Sequence, residues 1–137
     1  MQLHTLGAAE LGPLYERREI SPVEVTNAVI ARIEQCDGTL AATWAFDPTS
    51  AREMAKASEA RWRSGQALGP LDGVPVTLKE NIATRGVPTP LGCAATQLTP
   101  AAADAPPAAR LREAGAVFVA KTTMPDWGML SSGLSSF

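Results

Sequence analysis

The sequence predicts an α/β protein, because helical patterns alternate with apolar segments of strand length. Residues 116–121 read AVFVAK, a continuous apolar run suited to the middle of a covered sheet. Residues 74–79 are rich in β-branched side chains, and Pro75 places this segment at a sheet edge or a strand start. Apolar residues at helical spacing occur before and between these segments. This alternation is typical of α/β folds.

Two helices are predicted at the start of the chain. Residues 8–18 carry apolar side chains at helical spacing. A second helix begins at Ser21, which is suited to the N-cap, with Pro22 at the first helical position and Glu24 closing a capping box. Gly38 is predicted to end it.

The rest of the chain continues the alternation. An extended segment or strand is predicted over residues 40–46, and a helix over residues 49–64. Residues 83–107 contain many prolines and predict a loop. A helix over residues 104–114 precedes the AVFVAK strand, and another is expected to start within residues 124–130.

Composition restricts the class of protein. The 137 residues suffice for one domain, 45% are hydrophobic, and the formal net charge is −2. No run of basic residues stands out, so nucleic acid and anionic membranes are not expected partners. No signal peptide or membrane-spanning run is visible, which predicts a soluble, cytoplasmic protein. Cys36 and Cys93 are expected to be reduced thiols, and no cofactor is implied.

Lys79 is the candidate catalytic residue. It follows an apolar strand, where desolvation would disfavour the ammonium form and lower the pKa of the side chain. A lysine in that position can act as a base near neutral pH. The alternative is a lysine that reaches water from the strand end, paired at the surface with Glu80.

Several segments of the chain resemble the amidase signature family. Residues 69–82, GPLDGVPVTLKENI, are similar to the family segment G-P-L-x-G-V-P-x-x-x-K-D/E-N. Residues 104–121 resemble the family's helix with R-L-x-x-A-G-A and the strand after it. Residues 122–129, TTMPDWGM, are similar to T-N-M-x-E-F-x-M, and residues 21–25 resemble the early S-x-x-E-L/V helix start. The matches lie in order along nearly the whole chain.

The resemblance implies an amide hydrolase with an α/β/α sandwich around a mixed sheet. Family members use a Ser–cis-Ser–Lys triad, in which a neutral lysine deprotonates a serine in a cis peptide. That serine relays the proton from the nucleophilic serine, which forms an acyl-enzyme while backbone N–H groups hold the oxyanion. Lys79 matches the family lysine. The implied substrate is a small-molecule amide.

Both family serines are missing from the 137 residues. Neither the G-G-S-S loop of the cis-serine nor the D-x-G-G-S segment of the nucleophile occurs. Met129, Ser131 and Ser132 instead match the family's M-x-S-S loop, which lines the substrate cleft. Residues 1–137 are therefore expected to form one incomplete domain, with a helical start at about 8–37 and an α/β portion at about 40–137, inactive alone.

Two other functions are kept as alternatives. One is the glutamine amidotransferase subunit of the same family, which works with partner subunits. Asp126, Trp127 and Gly128 stand where that subunit more usually has acid-Phe-Ala, which favours a stand-alone amidase. The other is a non-catalytic binding or scaffold fragment, which would expose apolar surface and form homo-oligomers or self-associate through it.

Other polar residues are given structural roles. His4 is the only histidine and lacks partner ligands for a metal. Asp72 is interpreted as a turn residue, and Asp104 as a helix cap, or as the neighbour of a cap at Ala105. The aromatic residues, among them Trp127, are expected in the core.

Overall fold

The structure, a computed structural model, describes residues 2–131 and 134–137. Among these residues there are four helices and three strands, and one 3-10 turn lies near each end of the described part. The elements are α1 (Ala8–Glu16), α2 (Pro22–Leu40), β1 (Thr43–Trp44), α3 (Pro48–Arg63), β2 (Pro75–Lys79), α4 (Pro106–Glu113) and β3 (Val117–Thr122), with the 3-10 turns at Leu3–Thr5 and Asp126–Gly128.

The three strands form one mixed sheet in the order β1-β3-β2. The central strand β3 pairs in parallel with β2 and antiparallel with β1. This arrangement confirms the predicted α/β class and places the AVFVAK segment in the middle of the sheet, where its apolar side chains are covered on both faces. Only two residues of the predicted 40–46 segment form a strand.

The predicted start of α2 is confirmed, but the predicted end is wrong. The Ser21 hydroxyl accepts from the Glu24 N–H at 3.2 Å, and the Glu24 carboxylate accepts from the Ser21 N–H at 2.8 Å. The helix continues through Gly38 and ends two residues later. Ala41 adopts the left-handed conformation there, and the Asp37 carboxylate accepts from the next two backbone N–H groups. The Asp37 side chain thus caps the C-terminal end of α2, so no glycine is needed at that position.

In the described part of the chain, two clusters of buried apolar residues form the core, one beside the N-terminal helices and one between α2, α3 and the sheet. The first contains Leu11, Tyr15, Ile20, Val25 and Val74, and the second contains Ile30, Ala51, Ala55, Val117 and Val119. Within residues 2–131 and 134–137, no helix is both long and apolar enough to cross a bilayer.

The helix after the proline-rich loop begins without a side-chain cap. Ala105 is the N-cap of α4, so the alternative with Asp104 as the capping side chain is wrong. Prolines occupy the first two helical positions and have no N–H that needs a cap. The Asp104 carboxylate instead binds Arg112 at 2.7 Å and accepts from the Arg85 N–H at 2.8 Å.

Near the end of the chain, the helix expected within residues 124–130 is reduced to a 3-10 turn. Trp127 has a φ of 52° and interrupts the helical path. Its side chain is 64% exposed, so the prediction that it lies in the core is wrong.

Candidate active site

Lys79 is the last residue of β2 and is aligned with Thr122 of the central strand. Its neighbours Leu78 and Glu80 are buried, whereas Lys79 is exposed. Side chains of an extended chain alternate between faces, which accounts for this pattern. The strand end thus places Lys79 on an open face, and the described residues do not supply the desolvation expected for it.

Glu80 does not pair with Lys79 at the surface, so that part of the alternative for Lys79 is wrong. Its side chain is 0% exposed, and its Oε1 accepts a hydrogen bond from the Gly92 N–H. Its backbone N–H donates to the Thr122 carbonyl at 3.0 Å, which extends the contact between β2 and β3 by one residue. The carboxylate therefore faces the interior, away from Lys79.

Lys121 is a buried lysine that was not among the predicted site residues. Only 3% of the residue is exposed, and its ammonium donates to the Ile82 carbonyl at 2.8 Å. Burial lowers the pKa of Lys121, and the nearby Glu80 carboxylate partly opposes this shift. The signal in the sequence was a charged residue closing an otherwise apolar strand.

The loop that leads into β2 is held by Asp72. This residue lies in a turn, as predicted, but its carboxylate is buried and binds the Arg61 guanidinium through two bonds of 2.9 and 2.5 Å. The Leu68 N–H donates to the same carboxylate, and the Trp62 indole donates to the Asp72 carbonyl. Burial alone would raise the pKa of Asp72, but the hydrogen bonds from Arg61 and Leu68, together with the positive charge of Arg61, outweigh it and hold the pKa below its usual range.

The predicted cleft residues lie on the surface. Met129 is 82% exposed and Ser131 is also exposed, whereas Ser132 lies outside the described residues. No hydrogen bond or ion pair among residues 2–131 and 134–137 joins the Lys79 side chain to Met129 or Ser131. The segment that carries them is instead attached to the turn at Gly92, whose carbonyl accepts from the Ser136 N–H at 3.2 Å.

The described residues bring together no group of three His, Cys, Asp or Glu side chains that could hold a metal ion. His4 is exposed, and Cys36 and Cys93 are free thiols, each half-buried. The groups available for chemistry at this end of the sheet are the exposed ammonium of Lys79, the buried carboxylate of Glu80 and the buried ammonium of Lys121.

Comparison with known protein families identifies the family to which the chain belongs. The amidase family model matches residues 24–137, so the chain belongs to the amidase family. The match includes β2 with Lys79, the central strand and the segment with the predicted cleft residues.

The chain is similar in sequence to glutamyl-tRNA(Gln) amidotransferase subunits A. It is 42% identical to that of Moorella thermoacetica over 134 residues, which are 96% of this chain and 27% of that protein. It is 40% identical to that of Geobacter sulfurreducens over 136 residues, 99% of this chain and 28% of that protein. The chain therefore spans about a quarter of the length of these relatives.

Solved structures of amidases share the fold. The native peptide amidase from Stenotrophomonas maltophilia superposes with a TM-score of 0.82 at 32% identity, over 90% of this chain and 26% of that one. A bacterial aryl acylamidase of the amidase signature family gives a TM-score of 0.82 at 30% identity, over 93% of this chain and 27% of that one. The α/β architecture described above is thus that of amidase signature enzymes.

Proposed function

We propose that the complete protein hydrolyses a small-molecule amide by acyl transfer, with Lys79 as the base that starts the proton relay. The observation that carries this proposal is the position of Lys79, at the carboxyl end of β2 and on an open face, within a chain of the amidase family. In the mechanism that the family resemblance implies, Lys79 would take a proton from a cis-serine. The cis-serine would in turn take a proton from the nucleophilic serine. Residues 1–137 contain neither family serine motif and would be inactive alone.

The open face around Lys79 is consistent with this role. A lysine acts as a base when its ammonium form is destabilised, and burial by further protein or by substrate would have that effect. Met129, Ser131 and Ser132 would line the adjoining substrate cleft. The reaction needs no metal or organic cofactor, because a serine supplies the nucleophile and backbone N–H groups stabilise the oxyanion.

The test is hydrolysis of simple amides by the full-length protein and its Lys79→Ala variant. Loss of the base should lower kcat by at least about 100-fold, the usual contribution of general base catalysis. Lys79→Arg should be equally inactive, since a guanidinium does not deprotonate in proteins. Lys56, an exposed lysine of α3, provides the control: Lys56→Ala should keep full activity. Undiminished hydrolysis by Lys79→Ala would refute the proposal.

The second candidate is a glutamine amidotransferase subunit, favoured by the names of the relatives in sequence. The two candidates differ in their need for partners. An amidotransferase subunit would hydrolyse glutamine efficiently only with its partner subunits, whereas a stand-alone amidase would hydrolyse simple amides by itself. Comparing both reactions with and without co-expressed partner subunits distinguishes them. The third candidate, a non-catalytic binding or scaffold fragment, predicts neither reaction under either condition.

We also infer that the protein acts in the cytoplasm. Cys36 and Cys93 remain free thiols in the fold, as is usual in a reducing compartment. Fractionation of the source cells, with detection of the native protein, tests this inference.

A further inference from the structure

Glu80 is a buried carboxylate that the proposed chemistry does not use. It directly follows Lys79, and its side chain is 0% exposed. An ionised carboxylate is costly to remove from water unless it is well hydrogen-bonded. Its Oε1 accepts from the Gly92 N–H, whereas its Oε2 has no hydrogen-bond partner within the described residues. Lys121 lies near enough for its charge to interact with Glu80.

The partner of Glu80 is a turn with an unusual backbone. Leu91 and Gly92 are successive residues with positive φ, 57° and 68°. The left-handed conformation is unfavourable for leucine, so this turn needs contacts that hold it. A hydrogen bond from a backbone N–H to a carboxylate is stronger than one to a neutral acceptor, which suits Glu80 to this task.

The same turn holds the segment that carries the predicted cleft residues. The Leu91 carbonyl accepts from the Trp127 N–H at 2.8 Å. The Gly92 carbonyl accepts from the Ser135 hydroxyl at 3.1 Å and from the Ser136 N–H at 3.2 Å. The fit is close, since a Cβ added to Gly92 would lie 2.7 Å from the Pro125 carbonyl oxygen.

We propose that Glu80 is a positioning residue, which through the turn at Gly92 fixes the segment bearing Met129 and Ser131 relative to Lys79. Hydrogen bonds connect Glu80 to the turn at Gly92. From that turn they reach Trp127, which precedes Met129 and Ser131, and Ser135 and Ser136, which follow them. The assignment of that segment to a substrate cleft rests on the proposed function. The attachment of this segment to the turn at Gly92 is defined by the contacts above, and hydrogen exchange can measure it without any enzymatic reaction.

The test compares Glu80→Met and Glu80→Gln in the full-length protein. Methionine keeps the approximate shape but accepts no comparable hydrogen bond, whereas glutamine keeps the acceptor and loses the charge. In Glu80→Met, amide hydrogen exchange at Gly92 and Ser136 should accelerate at least about 10-fold. Exchange at Val117, whose N–H donates to the Val74 carbonyl, should not change. Glu80→Gln should restore part of the protection, because it keeps the acceptor but forms the weaker, neutral hydrogen bond.

Kinetics gives a second measurement on the same variants. A displaced cleft segment should raise KM for a small amide by more than it lowers kcat, because Lys79 and the reacting groups remain in place. Asp72→Asn is the matched control, a buried carboxylate in a different network. It should lower stability without a selective increase in exchange at Gly92 or a selective rise in KM.

If Glu80→Met does not fold, the double variant Ser135→Ala with Ser136→Ala tests the other side of the turn. It should accelerate exchange in the cleft segment and raise KM, while Gly92 stays protected by Glu80. In Glu80→Met, equal acceleration at Gly92 and Val117, or unchanged exchange at Gly92 and Ser136, would overturn the proposal. Full activity of Lys79→Ala would refute the proposed function separately and leave the exchange result intact.

Discussion

At the scale of single residues, the loop before β2 depends on one buried ion pair. Asp72 is fully buried and Arg61 is half-buried, and their two hydrogen bonds join the end of α3 to the turn that leads to Lys79. Gly115 packs against the same carboxylate and has a φ of 81°, a conformation that glycine adopts without strain. Asp72 is therefore both a turn residue and the centre of a tertiary contact.

Removing this carboxylate should destabilise the protein. We expect Asp72→Ala to lower the free energy of unfolding by about 3 kcal/mol, because it leaves Arg61 without its partner. Asp104→Ala is the control, since the Arg112 pair is less buried and should cost less. Urea unfolding of both variants measures the difference. Equal, small losses in the two variants would contradict this account.

The same residue sets a pH dependence. The pKa of Asp72 is lowered in the folded protein from its ordinary value of 3.8, so its carboxylate stabilises the fold above about pH 3.8. That contribution is lost as the pH falls through the lower folded pKa. Asp72→Asn should therefore flatten the stability profile in this acidic range, as measured by urea unfolding at a series of pH values. A profile as steep as that of the original protein would show that other carboxylates dominate.

At the scale of elements, α2 is fixed at its start by the capping box of Ser21 and Glu24. Both reciprocal hydrogen bonds are present. Ser21→Ala should lower the free energy of unfolding by about 1 kcal/mol. Ser50→Ala is the control, since Ser50 contributes its backbone N–H, not its hydroxyl, to the cap of α3. Thermal unfolding of the two variants should separate them, and identical midpoints would argue against a contribution from the box.

At the scale of the whole molecule, large apolar side chains are exposed near the end of the chain. Trp127, Met129 and Leu130 are 64%, 82% and 61% exposed. We propose that the 137-residue chain self-associates through these side chains, because large exposed apolar side chains are unfavourable in water. Light scattering should show a mass that rises with concentration. Met129→Ser with Leu130→Ser should reduce the association, whereas Leu68→Ser, at an exposed leucine after α3, should not; a constant monomer mass would contradict the proposal.

The sequence alone was sufficient for features that depend on neighbouring residues. The start of α2 follows from Ser21, Pro22 and Glu24 within one helical turn. The apolar run at 116–121 identified the central strand, because a strand that is covered on both faces carries apolar side chains at nearly every position. The position of Lys79 at the end of β2 likewise follows from the local pattern.

Other features were decided only by the tertiary structure. Gly38 was a reasonable helix end, yet the side chain of Asp37 moved that end to Leu40. The burial of Glu80 depends on Gly92, and that of Lys121 on Ile82, and neither partner is adjacent in sequence. Local patterns predict most of the elements, since capping and strand propensity act over a few residues. Which charged side chains lie inside depends on the distant segments that pack over them, and only the folded chain brings those segments together.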